Sequence, residues 1–280
     1  MVEITEVYDT GEVMISNLKT IKSEYFVMAN DKDSTIKQFV FKDGKCEFVK
    51  SIKVPILDLT VTKEGHILAS DGNSEVIYNL TGSGTESFKS IVSPRKARGI
   101  HFSGNQTLFV GFTDPTSLES GIVIFDMKSD QNQEIALKTD SGLNCLPEKI
   151  ISYINGDICV IQSENFTTWN GIIVSYEIRP SLGQVKWIYK GHDHINMLKA
   201  FSPRDFVITS SGLVLTVDDL TSIIHVLSTS GNFLTFIGAR EGVYSPCSLN
   251  VDIEGQLQIG SYDTNGESAK IYVAKMHSVT

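Results

Sequence analysis

No stretch of this 280-residue chain is long and apolar enough to suggest a membrane span, since no hydrophobic run approaches the ~18 residues that one requires. The opening MVEITEVYDT has neither a basic start nor an apolar centre, so no secretory signal is expected. Cysteine is scarce. Cys46, Cys145, Cys159 and Cys247 form no C-x-x-C pair, which excludes a thiol-redox motif and a zinc framework. They fall in or beside apolar segments and read as reduced thiols of a cytoplasmic protein. Three N-x-Thr matches, at Asn79, Asn105 and Asn165, are then not expected to carry glycans. Basic charge is also short: 24 Lys and Arg against 33 Asp and Glu leave a net charge of -9, the opposite of a chain built to neutralise phosphates. There is no G-x-S-x-G elbow, no phosphate-cradling glycine loop and no paired His/Cys motif, so nucleophilic catalysis has no visible carrier. No linker or low-complexity run divides the chain.

What is present is a repeat. From Phe206 to Gly238, apolar runs rich in β-branched residues are punctuated by Ser210-Ser211-Gly212, Asp218-Asp219 and Ser228 to Asn232, which reads as four short strands with tight turns. The second strand of that unit recurs with Phe26, Ile67, Leu108, Ile158, Val214 and Leu257 as markers, at steps of 41, 41, 50, 56 and 43 residues. A third strand follows each marker: Thr35 to Phe41, Glu75 to Leu80, Gly121 to Met127, Gly171 to Ile178, Ser222 to Leu227, and Ala269 to Lys275. A four-stranded meander cannot bury both faces alone. Six of them at a period of roughly 40 to 50 residues predict an all-β, six-bladed β-propeller of four antiparallel strands per blade. A composition of 41% hydrophobic residues suits one such domain over residues 1–280, because closed all-β folds commonly run this long.

The predicted blades cover about 12–50, 52–92, 97–137, 147–189, 203–238 and 245–276. The last unit shows three strands only. Val2 to Val7 alternates weakly and is predicted to supply its missing outer strand, which removes the open edge.

The arrangement Pro-x-x-apolar, Gly-x-apolar-x-apolar-x-Asp, apolar-x-apolar and Gly-x-apolar resembles the NHL repeat, most clearly over Pro203 to Gly238 and Pro246 to Val273. The closing segments Tyr244 to Leu249, Gly255 to Gly260 and Glu267 to Tyr272, with Tyr189 to Asn196, resemble the end of tripartite-motif (TRIM) proteins, especially those of molluscs. The first two units are degenerate copies. In that family the propeller follows a RING finger, B-boxes and a coiled coil and selects the target to be ubiquitinated. Those modules are absent from this chain. The resemblance therefore implies the substrate-recognition half of a RING-type ubiquitin ligase, a non-catalytic scaffold with a protein or peptide ligand and no cofactor. Whether any enzymatic activity belongs to the chain is left open by the sequence.

Several residues are candidates for such a face. Asp31, Asp71, Asp114, Glu164, Asp218 and Asp263 close the second strands; Asp in these places also caps turns through nearby amides. Arg95, Lys96 and Arg98 lie in the connection between the second and third units, and Lys149 and Arg204 in later ones; together they suggest a cationic crescent, against the plainer reading of solvated loops. Related propellers bind RNA stem-loops or peptides on such a face. The net charge disfavours RNA, and no aromatic residues interleave Arg95 to Arg98 for base stacking. Trp169, with Trp187 and Phe166, is a candidate contact patch, although packing between blades is the plainer reading for Trp187. A third reading is a metal-dependent propeller hydrolase or lactonase, with His101 on an inner strand, or His192 and His194, among its ligands. Asp58, Asn250, Thr60 and Ser152 are the other polar groups of the inner strands.

Overall fold

A computed structural model describes residues 2–22, 25–30, 33–42, 45–81, 84–137, 145–163, 170–179, 182–263, 266 and 268–277. The strands, in chain order, are β1 (Val2–Asp9); β2 (Asn17–Lys22), β3 (Tyr25–Asn30), β4 (Thr35–Lys42) and β5 (Lys45–Lys53); then β6 (Asp58–Val61), β7 (Ile67–Ser70), β8 (Val76–Leu80) and β9 (Thr85–Ser90). They continue as β10 (Lys96–Phe102), β11 (Thr107–Thr113), β12 (Ser120–Asp126) and β13 (Asn132–Ala136), followed by β14 (Leu146–Ser152), β15 (Ile158–Ser163), β16 (Gly171–Arg179) and β17 (Leu182–Tyr189). The last are β18 (Pro203–Ile208), β19 (Val214–Asp218), β20 (Ile223–Leu227) and β21 (Phe233–Ile237), then β22 (Pro246–Val251), β23 (Leu257–Ser261) and β24 (Lys270–Met276).

Five sheets are sequential four-stranded meanders, and the sixth has the order β1-β24-β23-β22. These are the six blades of a β-propeller. The predicted second strands are β3, β7, β11, β15, β19 and β23. The predicted closure is also present: β1 pairs antiparallel with β24, from Val2 opposite Met276 to Asp9 opposite Lys270. The blades fall into two compact units, Met1–Pro55 with His192–Thr280, and Ile56–Gly191. Below, these are the first and second units.

The packing explains why the second strands read as continuous apolar runs rather than as alternation. Successive side chains of a strand point to opposite faces. In the second unit, Leu108, Val110 and Phe112 of β11 pack with Leu68 and Ile77 of the preceding blade. Phe109 from the same strand packs with Ile150, Ile158 and Val160 of the following one. Both faces are buried, so both parities must be apolar. In the first unit, Leu18, Phe26 and Met28 meet Ile271 and Val273 in the same manner. Outer strands have no blade beyond them, and β5 is largely exposed, Phe48 and Val49 included.

Two aspartates tie adjacent inner strands. Asp58 Oδ1 accepts the amide of Leu59 at 2.9 Å, and its Oδ2 accepts that of Ile100, in the next blade, at 2.9 Å. Asp205 repeats this in the first unit, accepting the amides of Phe206 at 2.9 Å and Leu249 at 2.8 Å. The pairing register shifts beside both receiving residues, between Ala97 and Ile100 and between Pro246 and Ser248. Such bulges leave a ladder amide unpaired, and here a carboxylate from the neighbouring blade receives it.

Candidate functional site: a loop face with exposed apolar residues

In the second unit the cations predicted to form a crescent are largely engaged. Lys149 is buried, and its ammonium lies 2.6 Å from Asp58 Oδ1. Arg98 is buried against Glu148, Nη2 to Oε1 2.5 Å. Here β10 and β14 run so close that a Cβ on Gly99 would come within 2.8 Å of the Glu148 backbone. Burial pushes the Glu148 carboxyl above its usual range, with Arg98 pulling the other way. Arg95 grips Glu134 with two bonds of 2.7 and 2.9 Å, and its guanidinium carbon lies 4.1 Å from the centre of the Phe112 ring. Lys96 is half-buried at the start of β10. In the first unit Arg204 lies 3.7 Å from Asp219 and donates to the Met14 sulfur, also at 3.7 Å.

Two of the acidic residues cap turns. Asp71 accepts the amides of Asn73 and Ser74, each at 2.8 Å. Asp114 accepts the amide of Thr116 at 2.8 Å, its hydroxyl at 2.6 Å and the amide of Ser117 at 3.1 Å, and the Thr116 bonds above all lower its pKa to about 2. The Asp263 amide donates to the Val13 carbonyl at 2.8 Å. Asp31, Glu164, Phe166 and Trp169 lie outside the described residues.

The histidines are dispersed. His101 Nε2 is 3.0 Å from Ser152 Oγ, and Thr60 Oγ1 takes the Phe102 amide at 3.0 Å. Asn250 bonds Thr20 at 2.7 Å and Gln258 at 2.8 Å. His192 packs on Phe233, centroids 4.2 Å apart, with the ring of exposed His194 5.7 Å away. Among the described residues, no three His, Cys, Asp or Glu gather where they could hold a metal ion.

What the sequence reading did not single out is an apolar group on loops of the first unit. Met197 and Leu198, in the connection from β17 to β18, are 74% and 90% exposed. Leu220, Tyr244 and Val13 are exposed on three further connections. Hydrogen bonds make these loops neighbours. Lys199 Nζ donates to the Leu220 carbonyl at 2.7 Å, and the Tyr262 hydroxyl lies 3.4 Å from Ser222 Oγ. The Tyr262 amide donates to the Ser245 carbonyl at 3.1 Å, beside Tyr244, and the next amide, of Asp263, reaches Val13. Arg204 joins the turn at Asp219 to Met14. One sequence signal was available: Met197-Leu198 is an apolar pair inside a polar connection that belongs to no strand.

No family model matches the chain, and no curated protein matches it. Solved structures do. The WD40 β-propeller domain of Doa1 superposes with a TM-score of 0.60 at 12% identity, covering 99% of this chain and 97% of that one. Streptogramin B lyase gives 0.57 at 14% identity over 99% and 88% of the two chains. A luciferin-regenerating enzyme gives 0.63 at 11% identity over 99% and 95%. Their common ground is the propeller. At these identities the likeness is one of fold, and a propeller serves both binding modules and enzymes, so function rests on the residues of the site.

Proposed function

We propose that this chain is a non-catalytic protein-recognition scaffold, comparable to the substrate-binding propeller of a TRIM-type ubiquitin ligase. The observation that carries this reading is the set of exposed large apolar residues, Met197, Leu198, Leu220, Tyr244 and Val13, on hydrogen-bonded neighbouring loops of one unit. Single exposed apolar residues are ordinary, whereas a group on adjoining loops marks an interaction site. Aromatic and Met side chains are enriched at the centres of protein interfaces. The inner-strand polar groups of the second unit support the same reading, because Asp58 pairs with Lys149, Arg98 with Glu148 and His101 with Ser152. The burial of Arg98 and Lys149 also leaves a nucleic-acid backbone fewer cations to meet.

The test is affinity capture from lysate, with and without nuclease treatment, with the wild-type chain beside a Met197→Glu/Leu198→Glu double variant. A protein retained by the wild type and lost by the variant supports the reading. Capture that disappears on nuclease treatment points to RNA, and identical capture by both proteins removes this face from consideration.

A further inference from the structure

The loop that carries Met197 and Leu198 has no strand pairing of its own. One side chain organises it. Asn196 Oδ1 accepts the His192 amide at 2.9 Å, while the His192 carbonyl accepts the amides of Ile195 and Asn196 at 2.9 and 2.8 Å. Asn196 Nδ2 donates to the Lys199 carbonyl at 3.3 Å and to Asp218 Oδ2 at 2.7 Å.

Asp218 is the anchor. It ends β19 with no exposed surface. It also receives Thr221 Oγ1 at 2.7 Å and the Ser202 amide at 3.1 Å, and His225 Nε2 lies 3.6 Å away. A buried carboxylate is tolerated only when donors surround it. These donors come from the loop, from the approach to β18, from the following turn and from β20. Bonds to an ionised acceptor are among the stronger ones. The loop is thus fixed at Asn196 and, through the Leu220 carbonyl, at Lys199. The two residues between those fixed points are the most exposed apolar pair of the face.

We infer that Asn196 and Asp218 are positioning residues of the recognition surface, holding Met197 and Leu198 outward before a protein partner arrives. The partner class this fits is a protein segment that offers apolar side chains to a rigid knob rather than one that must order a loop. The inference rests on the scaffold reading given above. Ordering a loop before binding removes that cost from the binding step.

The experiment uses the whole chain and peptides selected on the wild type from a random dodecamer phage library. Variants Asn196→Ala, Leu198→Glu and Asp193→Ala are compared by amide hydrogen exchange at His192, Ile195 and Asn196, by melting temperature, and by affinity for a selected peptide. Asn196→Ala is expected to speed exchange at the three amides at least about 10-fold and to weaken the peptide about 10- to 100-fold. Its melting temperature should fall by only a few degrees, since Asp218 keeps the Thr221 hydroxyl and the Ser202 amide; Leu198→Glu should abolish binding, and Asp193→Ala should change none of these. Unchanged exchange in Asn196→Ala overturns the positioning inference even where Leu198 matters for binding. Faster exchange with unchanged affinity overturns it too. If no peptide is selected, or Leu198→Glu binds as the wild type does, the scaffold reading falls and takes the inference with it.

Discussion

The Lys149 ammonium lies 2.6 Å from Asp58 Oδ1, so a side chain on β14 reaches a carboxylate on β6 across the intervening blade. The same carboxylate receives the amides of Leu59 and Ile100. One aspartate thereby joins the inner strands of three successive blades of the second unit. Replacing Lys149 by Met leaves that buried charge short of its cation, a change that costs about 3–5 kcal/mol where a buried pair is broken. Urea unfolding should show this, and adding Asp58→Asn to Lys149→Met should recover part of the loss. A Lys149→Met protein as stable as wild type would mean that the pair contributes nothing.

Asp205 ties Phe206 to Leu249 in the first unit. Asp205→Ala leaves two buried amides without their acceptor, at about 1–3 kcal/mol for each group. Asp205→Asn keeps one acceptor oxygen and should cost less. Equal losses in the two variants, measured by the same unfolding curves, would rule out the carboxylate as the tie.

Asp218 and Glu148 respond to pH with opposite signs. Burial acts to raise the Asp218 pKa, but bonds from His225, Thr221, Asn196 and the Ser202 amide outweigh it and hold the carboxyl below its usual range. Its stabilisation is present above the ordinary aspartate value of about 4 and is lost as pH falls through the lower folded value. Glu148 is raised by burial despite Arg98, so its contribution is fullest below the ordinary glutamate value and declines as pH rises toward the folded one. Asp218→Asn should flatten the acid limb of stability below about pH 4, and Glu148→Gln should remove the decline above it. Unchanged profiles would contradict both assignments.

β1 covers the edge of β24, and its Tyr8 ring stacks on Phe41 with centroids 4.0 Å apart and planes 7° from parallel. Deleting residues 2–9 opens a strand edge able to pair with another chain. The deletion should lower the melting temperature by roughly 5 °C or more, a loss of about 2 kcal/mol in a chain of this size. It should also produce association visible by size-exclusion chromatography. A truncated protein with wild-type melting and size would show the strand to be dispensable.

How far the chain could be read in advance follows from what each feature depends on. β11 was legible because burial on both faces makes Leu108, Phe109 and Val110 apolar whatever lies beside them. β1 was legible from the missing fourth strand of the last blade. Arg98 and Lys149 were not: the sequence reads both as surface charge on connections, yet they stand within β10 and β14, where Glu148 and Asp58 hold them inside. Met197 and Leu198 were visible only as an apolar pair in a polar connection, which reads the same whether it is packed or exposed.

The sequence by itself determined the repeat, the strand order and the closure, because those follow from local periodicity and turn chemistry, which each unit carries within about forty residues. The tertiary structure alone decided which charges are buried and which apolar residues face solvent. Those outcomes depend on distances between strands of different blades, as between Lys149 and Asp58, and on hydrogen bonds between separate loops, as between Asn196 and Asp218. No local pattern encodes such distances; they arise only when the blades pack.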